Sequence, residues 1–351
     1  MFDLLKELTG LLGPCGYEHS VANYLVRRLT GKVDDIVVDG VGNVIVTKKG
    51  GLPGPSLVVA THMDEVGFIV KKIEANGLIR FDKLGGHDDR ILLAQRVRIG
   101  TEKGVVPGVI GTISAHMRRF DDDKKVRSHM ELYIDVGAAD RVEAETMGVQ
   151  VGDPVTWATE IERLGTRRVV GKSFDDRAGC AVLIQALEEV DFTRVRGTLH
   201  AVFSVQEEVG LRGARAAMSR LTPDVALAID TTAVSDTPEA MMDDTLGLGR
   251  GPGIKVMDFS LIASVAVRKC LVDLARQHGI PHQLEIFSGI GTDAGELMFG
   301  DGGVPSGVLS IPSRYAHSPV EVIDLDDLQH TKDLLVAFLY HMQDKNQFAF
   351  V

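Results

Sequence analysis

Four short runs constrain this chain more than any other feature: residues 57–60 (LVVA), 198–205 (TLHAVFSV), 225–229 (VALAI) and 307–311 (GVLSI). Each is apolar at nearly every position, so a strand built from it must be covered on both faces. Helix-period stretches at 177–190, 260–278 and 325–342 lie between and after these runs. In the first of them Ala178, Ala181, Val182, Ile184 and Leu187 face inward. Strands alternating with helices predict an α/β fold, a mainly parallel sheet with helices on both faces. From about residue 70 to 166 the character changes to short Val-, Ile- and Gly-rich alternating runs, with one helical pattern at 139–148. This predicts a small β-barrel inserted into a loop of the α/β domain. The division is therefore 1–70 with 167–351 as the main domain, and 71–166 as the inserted barrel.

The net charge of −11 over 351 residues leaves no basic face for phosphate and excludes a nucleic-acid partner. Cys15, Cys180 and Cys270 are widely spaced and odd in number, which fits a reducing compartment and not a disulfide framework. The N-terminus reads as an amphipathic helix with Leu4, Leu5, Leu8, Leu11 and Leu12 on one face, and no apolar run approaches the roughly 18 residues of a membrane span. A cytoplasmic protein without a membrane partner is expected.

Chemistry-bearing residues gather just after the buried runs, where parallel sheets collect ligands. LVVA leads into His62 and Asp64, an imidazole followed by a carboxylate that can accept its second ring N–H; a strand-end histidine satisfied by a turn explains the pair equally well. Asp175 and Asp176 open the helical stretch, where one can cap the helix while the other points to the sheet edge. TLHAVFSV ends in Glu207 and Glu208; one can bind a cation and its neighbour can take a proton from the activated water. Asp230 closes VALAI and His317 follows GVLSI. Imidazole and carboxylate donors suit Zn, with Co or Mn as alternatives. Two divalent ions are balanced by Asp175, Asp230, Glu208 and a bridging hydroxide, whereas a single ion leaves excess negative charge.

The motifs HMDEVG, FDDRAG, QEEVGLRGA, AIDTT and RYAHSPVE, in that order, resemble the family of glutamyl and tetrahedral aminopeptidases with dinuclear metal centres, a zinc-peptidase type of fold. GPCGYE, GVQVGD and LGLGRGPGIKVMD extend the likeness over nearly the whole chain. The resemblance implies an aminopeptidase acting on peptides. It implies His62 and Asp230 on one metal, Glu208 and His317 on the other, and Asp175 bridging. It also implies Glu207 as general base and acid, Asp64 orienting His62, and an inserted barrel that mediates homo-oligomerisation, often into a twelve-subunit tetrahedron. Two residues depart from the family pattern: Cys15 where Ser is common, and His87 where Trp is frequent. Cys15 reads as a packed small residue, and His87 and His116 as non-ligands. The rival readings are a carboxypeptidase or deacylase on the same scaffold, a glycoside hydrolase (some relatives carry an endoglucanase label), and a non-catalytic assembly protein.

Overall fold

The computed structural model describes residues 1–120, 125–238 and 245–350. All four apolar runs are strands of one eleven-stranded sheet: Leu52–His62, Arg196–Ser204, Val225–Ala233 and Ser306–Arg314. They lie side by side and parallel at its centre, in the order 196–204, 52–62, 225–233, 306–314. Successive side chains enter different cores, as the two-residue period of a strand requires. Leu57 and Val59 pack with the helices on one face, while Val58 and Ala60 join the core on the other. Leu227 and Ala226 divide in the same way.

The sheet departs from a parallel one at its flanks. Strands Asp35–Val38 and Val44–Lys49 on one side, and Glu321–Asp324, Arg168–Gly171 and Glu162–Leu164 on the other, pair antiparallel. These segments are short or half-exposed, and antiparallel strands tolerate a solvated face. A further pair, Gly253–Asp258 and Gln283–Phe287, is parallel within itself and joins Ser306–Arg314 antiparallel.

Helices Phe174–Glu189, Val265–His278 and Leu325–His341 cover one face, and Arg212–Met218 and Ala294–Leu297 the other. The N-terminal helix stops at Gly10, burying Leu4, Leu5 and Leu8; Leu11 and Leu12 are therefore not on its face, as the leucine spacing alone suggests, but in the half-buried turn after it. The helix expected from residue 260 begins at Val265, because the Asp258 carboxylate accepts hydrogen bonds from the Ser260 and Leu261 amides and holds 258–261 as a turn.

A closed barrel forms from strands Gly67–Ile73, Ile79–Leu84, Ile134–Asp135, Gly104–Ile110, Arg96–Thr101 and Pro154–Trp157, in that order around the ring. Its interior holds Phe68, Phe81, Val97, Ile99, Ile110, Ile134, Val155 and Trp157. Barrel and sheet are tied directly: Thr156 in the barrel donates to Glu65, which in turn receives Lys172 and the Gly13 amide from the main domain.

Candidate metal centre

The strand Leu52–His62 delivers His62 to the carboxyl edge of the sheet, in register with Ser204 of its parallel neighbour. The loop after Ser204 then turns over His62, and Asp64 secures it by accepting from the Glu207 and Glu208 amides at 3.0 and 3.2 Å. Asp230 lies within Val225–Ala233, the strand that flanks Leu52–His62 on its other side. Asp175 and Asp176 precede the regular helix, and the peptide between them is cis. Asp176 turns inward, accepting from the Gly179 amide at 2.9 Å and from the Thr61 hydroxyl. Gly179 is required there, because a Cβ would collide with both the Asp176 carboxylate and Thr61. Asp175 is left to face the sheet edge.

Backbone strain is concentrated here. Ser173, Gln206, Tyr315 and His317 have φ of 54°, 53°, 60° and 60°, a left-handed conformation that side chains disfavour. Each lies at or within two residues of a candidate ligand. Such conformations cost about 1–3 kcal/mol apiece and persist where the surroundings over-determine them, most often at functional sites.

The side chains converge tightly. Asp175 Oδ1 lies 3.0 Å from His62 Nε2, and its Oδ2 lies 3.3 Å from His317 Nε2. His62 Nε2 is also 3.7 Å from Asp230 Oδ1, and His317 Nε2 is 3.2 Å from Glu208 Oε2. The other nitrogen of His317, Nδ1, is 3.0 Å from the Gly86 carbonyl, which sets the ring's orientation. Asp64 Oδ1 lies 3.4 Å from His62 Nδ1, outside good hydrogen-bonding geometry.

Electrostatically the site holds more negative charge than it can settle. Burial raises the Glu207 carboxyl well above its usual range, and the charges of Asp230 and Glu208 add to the effect. Glu208 and Asp230 are raised as well, again first by burial. Burial alone would lower both histidines. The surrounding carboxylates override it, holding His62 and His317 well above the ordinary imidazole range. Asp175 moves the other way: burial opposes its ionisation, but His317 and His62 on either side hold it low. The Glu208 Oε1 and His62 Nδ1 atoms are buried without hydrogen-bond partners.

This donor set fits divalent cations. Three groups bring ligand atoms within 4.8 Å of one another: His62, Asp175 and Asp230; Asp175, Glu208 and His317; and His62, Glu207 and Glu208. The first two share Asp175. Orphaned buried oxygen and nitrogen atoms beside surplus carboxylates are what a cation pair would satisfy.

Glu321, within the RYAHSPVE motif but not singled out from sequence, supports both halves of the site. Its Oε2 accepts from the Asp175 amide at 3.1 Å and its Oε1 from the His317 amide at 3.0 Å. Burial, then the Asp175 charge, pushes its carboxyl up to about 8. Asp293 is likewise buried at the site's rear, receives the Ser204 hydroxyl, and is pushed up to about 7 by burial. Only a glutamate four residues beyond His317 hinted at the first, and nothing in the spacing marked the second.

His87 stands apart from the ligand groups. Its ring stacks on Phe68 with centroids 4.5 Å apart, its Nε2 is 2.9 Å from the Gly67 carbonyl, and burial pushes its pKa down to about 4. His116 is exposed, and Cys15 is buried with its thiol directed to the Glu65 carbonyl.

The chain as a whole resembles known proteins. The family model described as M42 glutamyl aminopeptidase matches residues 42–334. A putative aminopeptidase of Acetivibrio thermocellus is 40% identical over 96% of this chain and 97% of its own length. The lysyl aminopeptidase of Pyrococcus furiosus is 35% identical, covering 97% of each chain. Among solved structures, an aminopeptidase from the archaeon Desulfurococcus kamchatkensis superposes with a TM-score of 0.94 at 40% identity, covering 99% of this chain and 96% of that one. The Pyrococcus horikoshii TET1 peptidase, which can assemble into a tetrahedron or a large octahedral shell, gives a TM-score of 0.88 at 34% identity over 97% of this chain and 99% of its own. With its sheet, its barrel and nearly its full length accounted for in this way, the chain is a peptide hydrolase belonging to the M42 glutamyl aminopeptidase family.

Proposed function

We propose that the chain is an aminopeptidase with a dinuclear metal centre. His62 and Asp230 would hold one divalent cation and Glu208 and His317 the other, with Asp175 shared between them. The observation that carries this reading is the two-sided Asp175 carboxylate, with one oxygen 3.0 Å from His62 and the other 3.3 Å from His317. Mixed imidazole and carboxylate donors favour Zn, Co or Mn over Mg or Ca. When bound, such a pair supplies the Lewis acidity that activates water and polarises a scissile carbonyl.

The remaining work belongs to the chain's own residues. Glu207 shares one of the ligand groupings, but Asp175, Asp230 and Glu208 already offer three negative charges, and a fourth would overload the centre. Burial gives the ionised Glu207 carboxylate a raised proton affinity, which suits it to take a proton from the attacking water and then return it to the leaving amine. Asp64 secures the Glu207–Glu208 backbone and, 3.4 Å from His62 Nδ1, orients that imidazole. Glu321 sets Asp175 and His317 through their amides.

The test combines metal content with turnover. Wild-type protein is expected to carry two equivalents of metal and to hydrolyse aminoacyl-p-nitroanilides but not N-acetylated peptides. Glu207→Gln should keep both equivalents and lose about 10²–10⁴-fold in kcat. One equivalent of metal, or full activity in the variant, would sink the mechanism; cleavage of the blocked peptides would favour a deacylase.

The same proposal extends to assembly and location. The barrel, read from the sequence as 71–166 but with strands running from Gly67 to Trp157 and Glu162–Leu164 already in the main sheet, is taken as the unit that mediates homo-oligomerisation, as a shell or smaller, by likeness to the TET1 peptidase. A cytoplasmic setting is supported by three free cysteines. No helix among the described residues is long and apolar enough to cross a membrane.

A further inference from the structure

A cleft of about 850 Å³ opens over Asp175, Glu207, Glu208, Asp230 and His317. Beyond those groups the large apolar side chains in its lining are Ile91, Leu211, Phe259, Phe287, Ile290 and Tyr315, with Thr231, Thr232, Ser260 and Ser318 among the smaller polar ones. The Phe259 and Tyr315 rings are left 83% and 54% exposed at its rim. Single exposed apolar side chains are ordinary, but several converging on one concave site mark a place for an apolar ligand.

These walls are built and held. The Phe259 amide donates to the Ile290 carbonyl at 2.8 Å, joining the two aromatic segments. Asp258 Oδ1 accepts from the Ser260 amide, the Ser260 hydroxyl and the Leu261 amide at 2.7, 2.9 and 2.7 Å. Beneath them the fully buried Lys255 lies 3.5 Å from Asp258 and 3.2 Å from Glu285. Walls fixed in this way need little ordering when a ligand enters.

Lysine and arginine are what the cleft's described lining lacks, so a glutamate or aspartate side chain would lose its water without gaining a cation. Outside the metal-centre carboxylates, the acid among those residues is Asp88, which is engaged by the Arg90 guanidinium and amide. A lysine side chain therefore finds no free partner. His87, which also lines the cleft, stacks its ring on Phe68 and has its Nε2 2.9 Å from the Gly67 carbonyl.

We propose that this cleft receives the side chain of the substrate's first residue and selects apolar ones, aromatic or branched aliphatic. The assignment rests on the aminopeptidase reading above. It sets this chain apart from the acidic and basic preferences named for the family model and for the Pyrococcus furiosus relative.

The full-length protein loaded with Zn or Co would be assayed on the p-nitroanilides of Leu, Phe, Ala, Glu and Lys. The Leu or Phe derivative is expected to exceed the Glu and Lys derivatives by at least about tenfold in kcat/KM. Phe259→Arg, at a position too exposed to endanger folding, should shift the Glu-to-Leu ratio toward Glu by about tenfold or more. Phe299→Arg, at a 73% exposed phenylalanine outside the cleft, should leave that ratio unchanged. Equal rates across the panel, a Glu or Lys derivative in front, or equal shifts from the two variants would overturn the apolar assignment while leaving an aminopeptidase in place. No hydrolysis of any derivative by metal-loaded protein would overturn the aminopeptidase reading and this assignment together.

Discussion

Two buried ionic clusters sit on either side of the segment 172–177, and they are built to opposite rules. On one side Glu65, Lys172 and Arg177, all essentially inaccessible, form a set in which every charged group has a partner. Glu65 Oε2 is 2.6 Å from Lys172 and accepts from Thr156, and its Oε1 accepts from the Gly13 amide. Arg177 donates to the Met63 and Leu8 carbonyls at 2.7 Å each, pinning the N-terminal helix to the sheet edge. On the other side Asp175, Glu207, Glu208 and Asp230 crowd together with two histidines as their cationic neighbours, and a carboxylate oxygen is left without a partner. The paired cluster joins barrel to sheet. The unbalanced one is poised for cations. Burial of charge is thus not in itself a sign of function; burial of charge that the chain leaves unsettled is.

The sharpest way to break this contrast is at Asp175. Asp175→Asn should lower kcat by about a thousandfold or more and abolish the stabilisation that metal gives the wild type, seen as a Tm that no longer falls on chelation. A variant that still responds to EDTA as the wild type does would show that Asp175 is not shared between the two ligand groups.

The fully partnered cluster should fail differently. Glu65→Ala leaves Lys172 buried beside Arg177 without its counter-charge and should cost about 3–5 kcal/mol in urea unfolding. The folded fraction should keep its metal content. Loss of metal with little change in stability would erase the distinction between the clusters.

Asp327 is an intermediate case, a fully buried carboxylate that accepts from the Gly249 and Gly251 amides at 2.7 Å each. Burial pushes its pKa up to about 6. Because the folded state then holds this proton more tightly than the unfolded one, its contribution favours folding at low pH. That contribution is lost as pH rises from about 4 to about 6, by at most about 3 kcal/mol. Asp327→Asn should flatten this part of the stability profile relative to wild type; an unchanged slope would remove Asp327 as its source.

The smallest effect is expected at Glu321. Glu321→Ala leaves every ligand in place but frees the Asp175 and His317 amides, and should weaken metal affinity about 10–100-fold, measured by competition with a chelating dye. A loss as large as that of Asp175→Asn would make Glu321 a ligand instead of a support.

Much of the candidate site was legible because its residue types stand at the ends of buried runs, and a run such as LVVA can end in His62 only at the sheet's edge. The division between Asp175 and Asp176 was legible as a choice, since one carboxylate at a helix start can cap while its neighbour does not. Glu321, Asp293 and the Glu65 cluster were not. Their partners lie far away in sequence: Glu321 reaches Asp175 across 146 positions and Lys172 reaches Glu65 across 107. No periodicity records such contacts. The left-handed backbone at Gln206 and His317 was equally hidden, because neither residue type announces it as glycine would.

The sequence by itself determined the α/β layering, the separate β-rich segment and the donor types at the sheet edge, since hydrophobic period and strand-end position are local properties. Tertiary structure alone decided three things. It turned the sheet's flanks antiparallel, it set both oxygens of Asp175 between two histidines, and it lined the cleft above them with Phe259, Phe287 and Tyr315 and with no lysine or arginine among the described lining residues. The physical reason is that each depends on which distant segments meet, and that is decided by burial and charge balance summed over the whole fold.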